Sequence, residues 1–507
     1  MSNPSTAFAP LSGTTLVLAG VVLAVTNFMV VLDTTIANVS VAHIAGGLGI
    51  SSSEGTWVIT SYSVAEAICV PLTAWMAGRF GSVRTFLFSM LGFGVFSMLC
   101  GTSLTLGMLV ACRIGQGVFG AFLMPMSQTL LMRVFPPEQQ NVAVGMWATT
   151  LLLGPAFGPI IGGWLTDNWS WHWIFLINAP VAAACIIGGA FLLRSLETGR
   201  EVLPVDLTGL ILLVVWVGCL QIVLDIGRNH DWFDDPLIVV LGVASLIAFL
   251  VFVIWELTED HPIVDLRILK NRGLWVSLVT LSITFGAYFA GYVLVPQWQQ
   301  AWLGYTATQA GYSSSYVAFA GLITAPIVAM LMSKFDARLL VSLGTIWLAL
   351  LMVVRTGWTT DADFWSLTIP QFVQGLGMTF FMLPIMGLTL STVDEKDMAA
   401  AAGLQSFMRT LATAFATSLS LTYWGDAQRA ARSELVSGLR PENLPSDRAA
   451  ISFEQSRHMI SNMVEAEATT LALIHTFWTI SALLLVSASL IWLAPKPKPA
   501  TALPLGH

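Results

Sequence analysis

The sequence predicts an all-α polytopic membrane protein with about fourteen transmembrane helices. Of its 507 residues, 56% are hydrophobic and 10% are charged, whereas a soluble protein carries about 25% charged residues. Apolar runs of about 20 residues, the length that crosses a bilayer as a helix, recur along the whole chain. Similar patterns in the two ends of the chain divide these runs into two related sets of helices.

The spans are separated by charged stretches and by stretches rich in Gly, Pro and Asn. The first run has no preceding Lys or Arg and is too long for the apolar region of a signal peptide, so we expect it to remain as a span. The predicted spans are 14–42, 54–78, 84–103, 106–132, 140–164, 172–193, 206–225, 236–257, 273–299, 308–332, 338–357, 365–391, 398–424 and 468–494.

The distribution of positive charge predicts that both termini are cytoplasmic. Most of the 22 Lys and Arg residues fall in connections on the side of the N-terminus, as the positive-inside rule requires. The short loops on the other side hold Arg228 and Arg355. A longer outer segment, about 425–467, carries further arginines, whose charge acidic residues balance. The reverse topology would put more Lys and Arg residues on the wrong side of the membrane than it would bring to the cytoplasmic side.

Two pairs of segments show that the helices are duplicated. The segment RIGQGVFGAFLMP from Arg113 is similar to QFVQGLGMTFFMLP from Gln371, and Pro71 and Pro326 lie in another matched pair. Such duplication is how transporters build two bundles around a site at the membrane midplane. The predicted divisions are a cytoplasmic tail 1–13, an N-terminal six-helix bundle 14–193, two inserted helices with their loops 194–272, a C-terminal six-helix bundle 273–494 and a cytoplasmic tail 495–507.

Several function classes are excluded by what the sequence lacks. The net charge is −7 and no basic cluster occurs, which argues against nucleic acid as a partner. The sequence has no GxxxxGK[ST] loop for an ATP-driven pump and no GxSxG or HExxH motif that would indicate an enzyme. The five cysteines and seven histidines show no CxxC or paired spacing, so we predict no metal site.

Four segments together carry a family resemblance. They are LDTTIANVSVAHIA from Leu32, RIGQGVFGA from Arg113, LGPAFGPIIGGWLTD from Leu153 and WHWIFLINAP from Trp171. The chain resembles, over nearly its whole length, the fourteen-helix drug:proton antiporters of the major facilitator superfamily. The resemblance implies a major facilitator fold in the bacterial inner membrane. It also implies export of amphipathic drugs or toxic compounds, driven by the proton gradient and without a cofactor.

The resemblance implies partners beyond the lipid bilayer and small amphipathic substrates. The outer segment 425–467, which is periplasmic in this orientation, is expected to help dock a periplasmic adaptor protein of a tripartite pump that ends in an outer-membrane channel. A merely solvated loop is the alternative for this segment. The alternative for the function is the same scaffold exporting a physiological metabolite, lipid or siderophore.

Three ionisable residues lie within the predicted spans of the first half: Asp33, Glu66 and Arg113. Burial disfavours an ionised carboxyl and a nearby cation favours it, so Asp33 beside Arg113 could load and release a proton. We predict Asp33 as the principal proton site and Arg113 as its counter-charge, as the resemblance also implies. The alternatives are a static ion pair, or Asp33 capping local structure with Thr34 and Asn38. Glu66 could be functional or structural.

The segment GPAFGPIIGG predicts a close helix contact. Gly154, Gly158 and Gly162 recur every four residues on one helix face, where small residues let a neighbouring helix approach. The adjacent prolines remove backbone donors and bend the helix. In the resembled family this stretch is the antiporter motif, which seals the bundle interface; ordinary small-residue packing is the alternative. The motif comprises Gly154, Pro155, Gly158, Pro159, Gly162 and Gly163.

The stretch AWMAGRFGSVR after the second span resembles the loop that closes the cytoplasmic gate in this family. Arg79, Gly81 and Arg84 match the family pattern, whereas Ala74 replaces a usual glycine and Gly78 a usual aspartate. Without that acid a charge relay is not expected, and positive-inside anchoring explains the arginines almost as well.

Residues that could line a substrate cavity occur in both halves. Arg409 could contact substrate, Asp394 or lipid headgroups by snorkelling. The candidates are Phe28, Asn38, Gln116, Tyr288, Tyr292, Gln374 and Arg409.

Overall fold

The computed structural model describes residues 11–136, 140–198, 204–227, 232–332, 334–393, 398–438 and 453–496, which form seventeen α-helices. The first nine are α1 (Gly13–Leu48), α2 (Ser52–Gly55), α3 (Trp57–Cys69), α4 (Thr73–Phe80), α5 (Ser82–Cys100), α6 (Leu106–Val134), α7 (Gln140–Asn168), α8 (Trp173–Leu176) and α9 (Asn178–Leu192). The others are α10 (Leu207–Ile226), α11 (Pro236–Thr258), α12 (Arg272–Trp302), α13 (Ala307–Met332), α14 (Ala337–Arg355), α15 (Phe364–Ser391), α16 (Met398–Gly438) and α17 (Phe453–Leu490).

The predicted all-α polytopic fold is confirmed. Every predicted span falls on helical structure, and within the described ranges eleven helices are long and apolar enough to cross a membrane. The second span is made of α2, α3 and α4, with a 3₁₀ turn at Val70–Leu72 between the last two. Pro71 lies in this turn, where its missing N–H and fixed φ interrupt the regular helix.

Each half of the chain has its own hydrophobic core. One buried cluster draws on α1, α3, α5, α6, α7 and α9, and another draws on α12, α13, α14, α15 and α17, with α16 packed against it. This is the arrangement of two six-helix bundles that the duplication predicts, while the residue limits of the divisions stay a prediction.

The two inserted helices contact both halves. Trp216 of α10 and Phe252 of α11 share a buried cluster with Ala67 of α3 and Phe407 of α16. The inserted helices α10 and α11 therefore pack against the contact between α3 and α16, which is part of the interface between the two halves.

The duplicated segments occupy equivalent places in the two halves. A Cβ at Gly117 would collide with the carbonyl oxygen of Tyr62 in α3, and a Cβ at Gly375 would collide with that of Val317 in α13. In each half, the glycine lets one helix approach the backbone of another, a contact that small residues permit.

The outer segment is helical where it is described, and whether it docks an adaptor or is merely solvated stays a prediction. Helix α16 has 41 residues and spans about 60 Å, twice the hydrocarbon thickness of a bilayer. Its extension pairs with the start of α17, where Gln428 and Arg432 donate to the carboxylate of Glu465 at 2.7 and 3.0 Å. We call residues 425–438 and 453–467 the outer hairpin, and the end of the helices from which it projects the outer end. The stretch between these two ranges lies outside the described residues.

Candidate functional site

An ion pair lies inside the first half, between α1 and α6. Arg113 Nη1 donates to Asp33 Oδ2 at 2.7 Å, and the side chains are 1% and 0% exposed. A charge pair this deep is tolerated only when its remaining donors and acceptors are also satisfied. The two residues that the sequence singled out therefore do meet in the folded protein.

Neutral side chains complete the surroundings of the Asp33 carboxylate. Gln116 Nε2 and Asn178 Nδ2 donate to Asp33 Oδ1 at 3.0 and 2.7 Å. The Ser97 hydroxyl accepts from both amides, at 3.2 and 3.0 Å, and donates to the carbonyl oxygen of Phe175. The carboxylate thus accepts hydrogen bonds from three side chains on two other helices, α6 and α9, which holds it in one position.

The alternative in which Asp33 caps local structure is wrong. The Thr34 hydroxyl donates to the carbonyl oxygen of Val31 at 2.8 Å. Both amide atoms of Asn38 are buried and have no hydrogen-bond partner among the described residues. Neither side chain contacts the carboxylate, so the contacts of Asp33 are tertiary.

A central cavity of about 160 Å³ lies between the two halves. One wall is aromatic, because Tyr288 and Tyr292 stack at 6.2 Å between ring centroids and Phe285 and Phe289 stack at 6.3 Å. Arg113 forms part of the opposite wall. Such a largely apolar cavity with a few polar groups is the usual form of a small-molecule site.

Two further charges face this cavity. Glu66 of α3 and Arg409 of α16 line it, and both also line a neighbouring cavity of about 40 Å³ that reaches Gln128. Arg409 Nη2 lies 3.5 Å from the Met124 sulfur, so the arginine points inward and the snorkelling alternative is wrong. Asp394, the other suggested partner, lies outside the described residues.

Four of the predicted cavity residues do not line the central cavity. Phe28 is half-buried elsewhere on α1, and Asn38 is buried away from the cavity. Gln116 is bound to the ion pair, and Gln374 accepts a hydrogen bond from Arg355. The remaining candidates, which do line it, are Tyr288, Tyr292 and Arg409.

Arg355 does not lie in a short outer loop, as the sequence suggested. It is the last residue of α14 and is 1% exposed. Its guanidinium lies over the rings of Trp358 and Phe477, 5.1 and 5.9 Å from their centroids. The apolar run ends here, but the chain that follows packs inward and covers the charge. Arg228, the other arginine assigned to such a loop, lies outside the described residues.

The glycines of the proposed antiporter motif have two different partners. Cβ atoms at the three motif glycines that recur every four residues would collide with α1, which belongs to the same half. A Cβ at Gly163 would collide with the carbonyl of Ala307 in the second half, and a Cβ at Gly311 would collide with that of Pro159. The regular GxxxG face therefore packs within one half, and the neighbouring residues form the contact between halves.

Asp225 is an intramembrane acid that sequence reasoning missed, because the predicted seventh span ended at it. Thr60 Oγ1 and Gln221 Nε2 donate to its carboxylate at 3.0 Å each, and the Ser418 hydroxyl donates as well. Thr60 lies on α3 and Ser418 on α16. Asp225 of α10 therefore accepts hydrogen bonds from both halves of the protein near the outer end.

A family comparison decides what kind of protein this geometry belongs to. Residues 23–417 match the family described as Major Facilitator Superfamily. The chain belongs to the major facilitator superfamily. The predicted family is thereby confirmed, and the chain is a multi-pass membrane transporter and not an enzyme.

Several major facilitator relatives are similar over nearly the whole chain. The multidrug export protein EmrB of Escherichia coli is 38% identical over 497 residues, with 96% of this chain and 97% of the relative covered. EmrB of Haemophilus influenzae is 37% identical, with 98% and 99% covered. The fatty acid resistance protein FarB of Neisseria gonorrhoeae is 36% identical, with 97% and 98% covered.

Solved major facilitator structures share the fold. A peptide transporter POT in complex with sulfate superposes with a TM-score of 0.65 at 15% identity, and 96% of each chain is covered. A bacterial homologue of the human lysosomal transporter Spinster, in an inward-facing and unoccupied conformation, gives 0.62 at 12% identity, with 96% of this chain and 100% of that chain covered.

The loop proposed as the major facilitator cytoplasmic gate makes a turn around one acid. Gly81 has a φ of 95°, which favours glycine, and a Cβ there would collide with the Glu197 carboxylate. Glu197 accepts from two backbone N–H groups at the start of α5, both at 3.1 Å, and lies 3.8 Å from the Arg84 side chain. Arg79 is exposed. Glu197 is therefore the acid that lies beside Arg84 in this turn, and the role of the turn as a gate stays a prediction.

Proposed function

We propose that this protein is a proton-coupled antiporter that exports amphipathic compounds by alternating access, with Asp33 as the proton site. It lies in the bacterial inner membrane with both termini in the cytoplasm. The relatives named for multidrug export and for fatty acid resistance support an amphipathic substrate class. The two halves rock about the central cavity, and the gradient drives the cycle through the ionisation of one acid.

One observation carries this proposal. Arg113 binds Asp33 on one side, and on the other side it forms part of the cavity wall. A proton on Asp33 removes the negative charge that compensates Arg113, which changes the electrostatics of the wall that substrate meets. Substrate in the cavity and a proton on Asp33 therefore act on the same guanidinium, and the two ligands are coupled reciprocally.

Proton release from the purified protein tests this coupling. Addition of tetraphenylphosphonium, a lipophilic cation, to weakly buffered protein in detergent is expected to release protons into solution. The Asp33→Asn variant is expected to release none. Release of equal size from both proteins would contradict the role of Asp33.

Glu66 and Arg409 are proposed to set which charge the cavity prefers. Loss of one carboxylate beside a bound cation is expected to weaken tetraphenylphosphonium binding about tenfold, or about 1.4 kcal/mol, in Glu66→Gln. In Arg409→Gln the removal of a like charge is expected to leave binding unchanged or tighter. Isothermal titration of both variants measures this, and Ser63→Ala, a neutral change in the same wall, is the matched control. Equal losses in both charge variants would contradict the assignment.

The outer hairpin is proposed to dock the periplasmic adaptor of a tripartite pump, whose third member is an outer-membrane channel. It projects beyond the bilayer and exposes apolar side chains there, with Val436, Met459 and Met463 47, 55 and 66% exposed. Apolar groups exposed to water on a projecting element favour a protein contact.

Charge placed on this apolar surface is expected to remove the adaptor. The Met459→Glu/Met463→Glu variant should reduce adaptor copurification at least about tenfold, because burying either carboxylate at the interface is unfavourable. Arg429→Gln changes an exposed charge on the same hairpin and should keep copurification unchanged. Copurification of the double variant at the wild-type level would contradict docking through this surface.

A further inference from the structure

Asp225 is an intramembrane acid that the proposed proton coupling does not use. Its two carboxylate oxygens bind different halves of the protein. Oδ2 accepts from the Thr60 hydroxyl at 3.0 Å, and Oδ1 accepts from the hydroxyl of Ser418. Thr60 belongs to α3 of the first half and Ser418 to α16 of the second half, so one side chain of the inserted helix α10 connects the two halves. We call these three residues the outer bridge.

The chemistry of the outer bridge requires a carboxylate. A hydroxyl from each half donates, so the side chain between them must accept on both of its terminal atoms, which an ionised carboxylate does and an amide does not. Gln221, one turn before Asp225 on α10, also donates to Oδ1, at 3.0 Å, and fixes the orientation of the carboxylate. Hydrogen bonds to an ionised group are stronger than those between neutral groups.

The contact between the halves buries both donors of the outer bridge. Thr60 is 1% exposed and Ser418 is 2% exposed, whereas Asp225 is half-buried near the end of α10. A buried hydroxyl that loses its acceptor costs the desolvation free energy of that group, so the bridge stabilises the arrangement in which α3 and α16 lie together. When the halves part, water reaches all three groups and replaces the lost hydrogen bonds. The bridge can therefore form and break reversibly.

The two halves meet at two places near the outer end. At the first place α7 packs against α13, and the Asp167 carboxylate of the first half accepts from the backbone N–H groups of Ala307 and Thr308. At the second place α3 and α16 meet, and the outer bridge joins them. The central cavity lies between the same halves, and Ile59, the neighbour of Thr60, lines it. Both contacts must therefore break before the cavity opens to the outside.

We propose that Asp225 holds the outer end closed and releases it when the halves rock, so that the inserted helices take part in alternating access. The proposal rests on the alternating access of the proposed function, and it does not depend on Asp33. Asp225 does not line the central cavity. It is a positioning residue, which sets the balance between the outward-closed and the outward-open states.

Two variants each remove one end of the outer bridge and keep Asp225. Thr60→Val removes the donor of the first half, and Ser418→Ala removes the donor of the second half. In either variant the outward-open population is expected to rise at least about tenfold relative to the outward-closed population, because one hydrogen bond to a charged group is lost.

Distances between spin labels in the full chain in detergent measure these populations. One pair of labels, at Leu104 and Asp361, lies near the outer end in opposite halves, and a second pair, at Phe80 and Phe335, lies near the cytoplasmic end; all four positions are exposed. Both variants should lengthen the outer distance and shorten the cytoplasmic distance, as rocking requires. An attachment of α10 that is merely structural would change the unfolding midpoint without moving the cytoplasmic labels.

Two neighbours of Ser418 on α16 provide matched controls. Ser420 donates to the carbonyl oxygen of Thr417, and Thr417 donates to that of Thr413, so both hydroxyl groups bind within their own helix. Ser420→Ala and Thr417→Val remove the same atoms as the two test variants, and both label distances should stay at their wild-type values.

Wild-type distances in Thr60→Val, in Ser418→Ala or in both would overturn the proposal, since a bridge needs both of its ends. Gly163→Leu, which places a side chain into the contact of α7 with α13, separates this result from failure of the proposed function. If Gly163→Leu lengthens the outer distance and the bridge variants do not, only the role of Asp225 is wrong. If Gly163→Leu also keeps the wild-type distances, alternating access itself is contradicted.

Discussion

Asp33→Asn is expected to abolish uphill export, to less than about a hundredth of the wild-type rate in proteoliposomes with an imposed proton gradient. The amide has the shape of the carboxylate but cannot take up and release a proton, so the cycle loses its link to the gradient. Gln116 and Asn178 remain available to bind its oxygen, and the local geometry is retained. Accumulation of tetraphenylphosphonium against its gradient measures the effect.

A second variant separates coupling from folding. Asp33→Asn leaves Arg113 buried without a counter-charge, which costs about 3–5 kcal/mol of stability when one partner of a buried pair is removed. The Asp33→Asn/Arg113→Gln double variant removes both charges and should recover much of that stability, measured by thermal unfolding, while uphill export stays lost. Uphill export by either variant at the wild-type rate would exclude Asp33 as the coupling acid.

The fold could be predicted because one physical effect determines it. The length of each apolar run determines one span, and polar or charged residues separate one run from the next. Every predicted span therefore falls on helical structure. The outer hairpin shows where this logic stops: α16 continues beyond the membrane because its residues beyond Trp424 still form helix and pair with α17. Hydropathy marks where a span leaves the lipid, and it carries no information about where the helix ends.

The ion pair of the site was predictable, and the residues around it were not. Asp33 and Arg113 are charges within apolar runs, which makes them visible in any single sequence. Ser97 and Asn178 are small polar residues that occur in many spans for ordinary reasons, and their role comes only from the packing of α5 and α9 against α1. Asn178 lies in the motif WHWIFLINAP, and that motif was the single signal that could have found it.

The remaining errors arose because the sequence does not show how deeply a charged residue at the end of a span is buried. Arg355 follows an apolar run and precedes a polar loop, so its sequence environment is that of an interfacial residue. The duplication was a better guide, because the interval that relates Pro71 to Pro326 aligns Arg355 with the buried Cys100. Tertiary contacts decide whether a charge at the end of a span turns toward the core or toward water.

Gly163→Leu is expected to prevent the outer ends of the two halves from closing. Helices α7 and α13 meet there through backbone atoms, and even a Cβ at Gly163 would collide with Ala307. Beside this contact, the Asp167 carboxylate accepts from the backbone N–H groups of Ala307 and Thr308 at 3.3 and 2.8 Å. A leucine forces these helices apart, so the outward-closed state loses its population and export should fall to less than about a tenth.

Distances between spin labels at Leu104 and Asp361, which are exposed near the outer end in opposite halves, report this opening directly. Gly163→Leu should lengthen the distance, and Gly311→Leu, on the other side of the same contact, should do the same. Gly107→Leu is the control, because a Cβ at Gly107 meets no heavy atom within 4 Å. A normal label distance with normal export in Gly163→Leu would mean that the closed contact is not a step of the cycle. A rocking carrier passes through both closed and open outer ends, so blocking either state stops transport even when the coupling acid is intact.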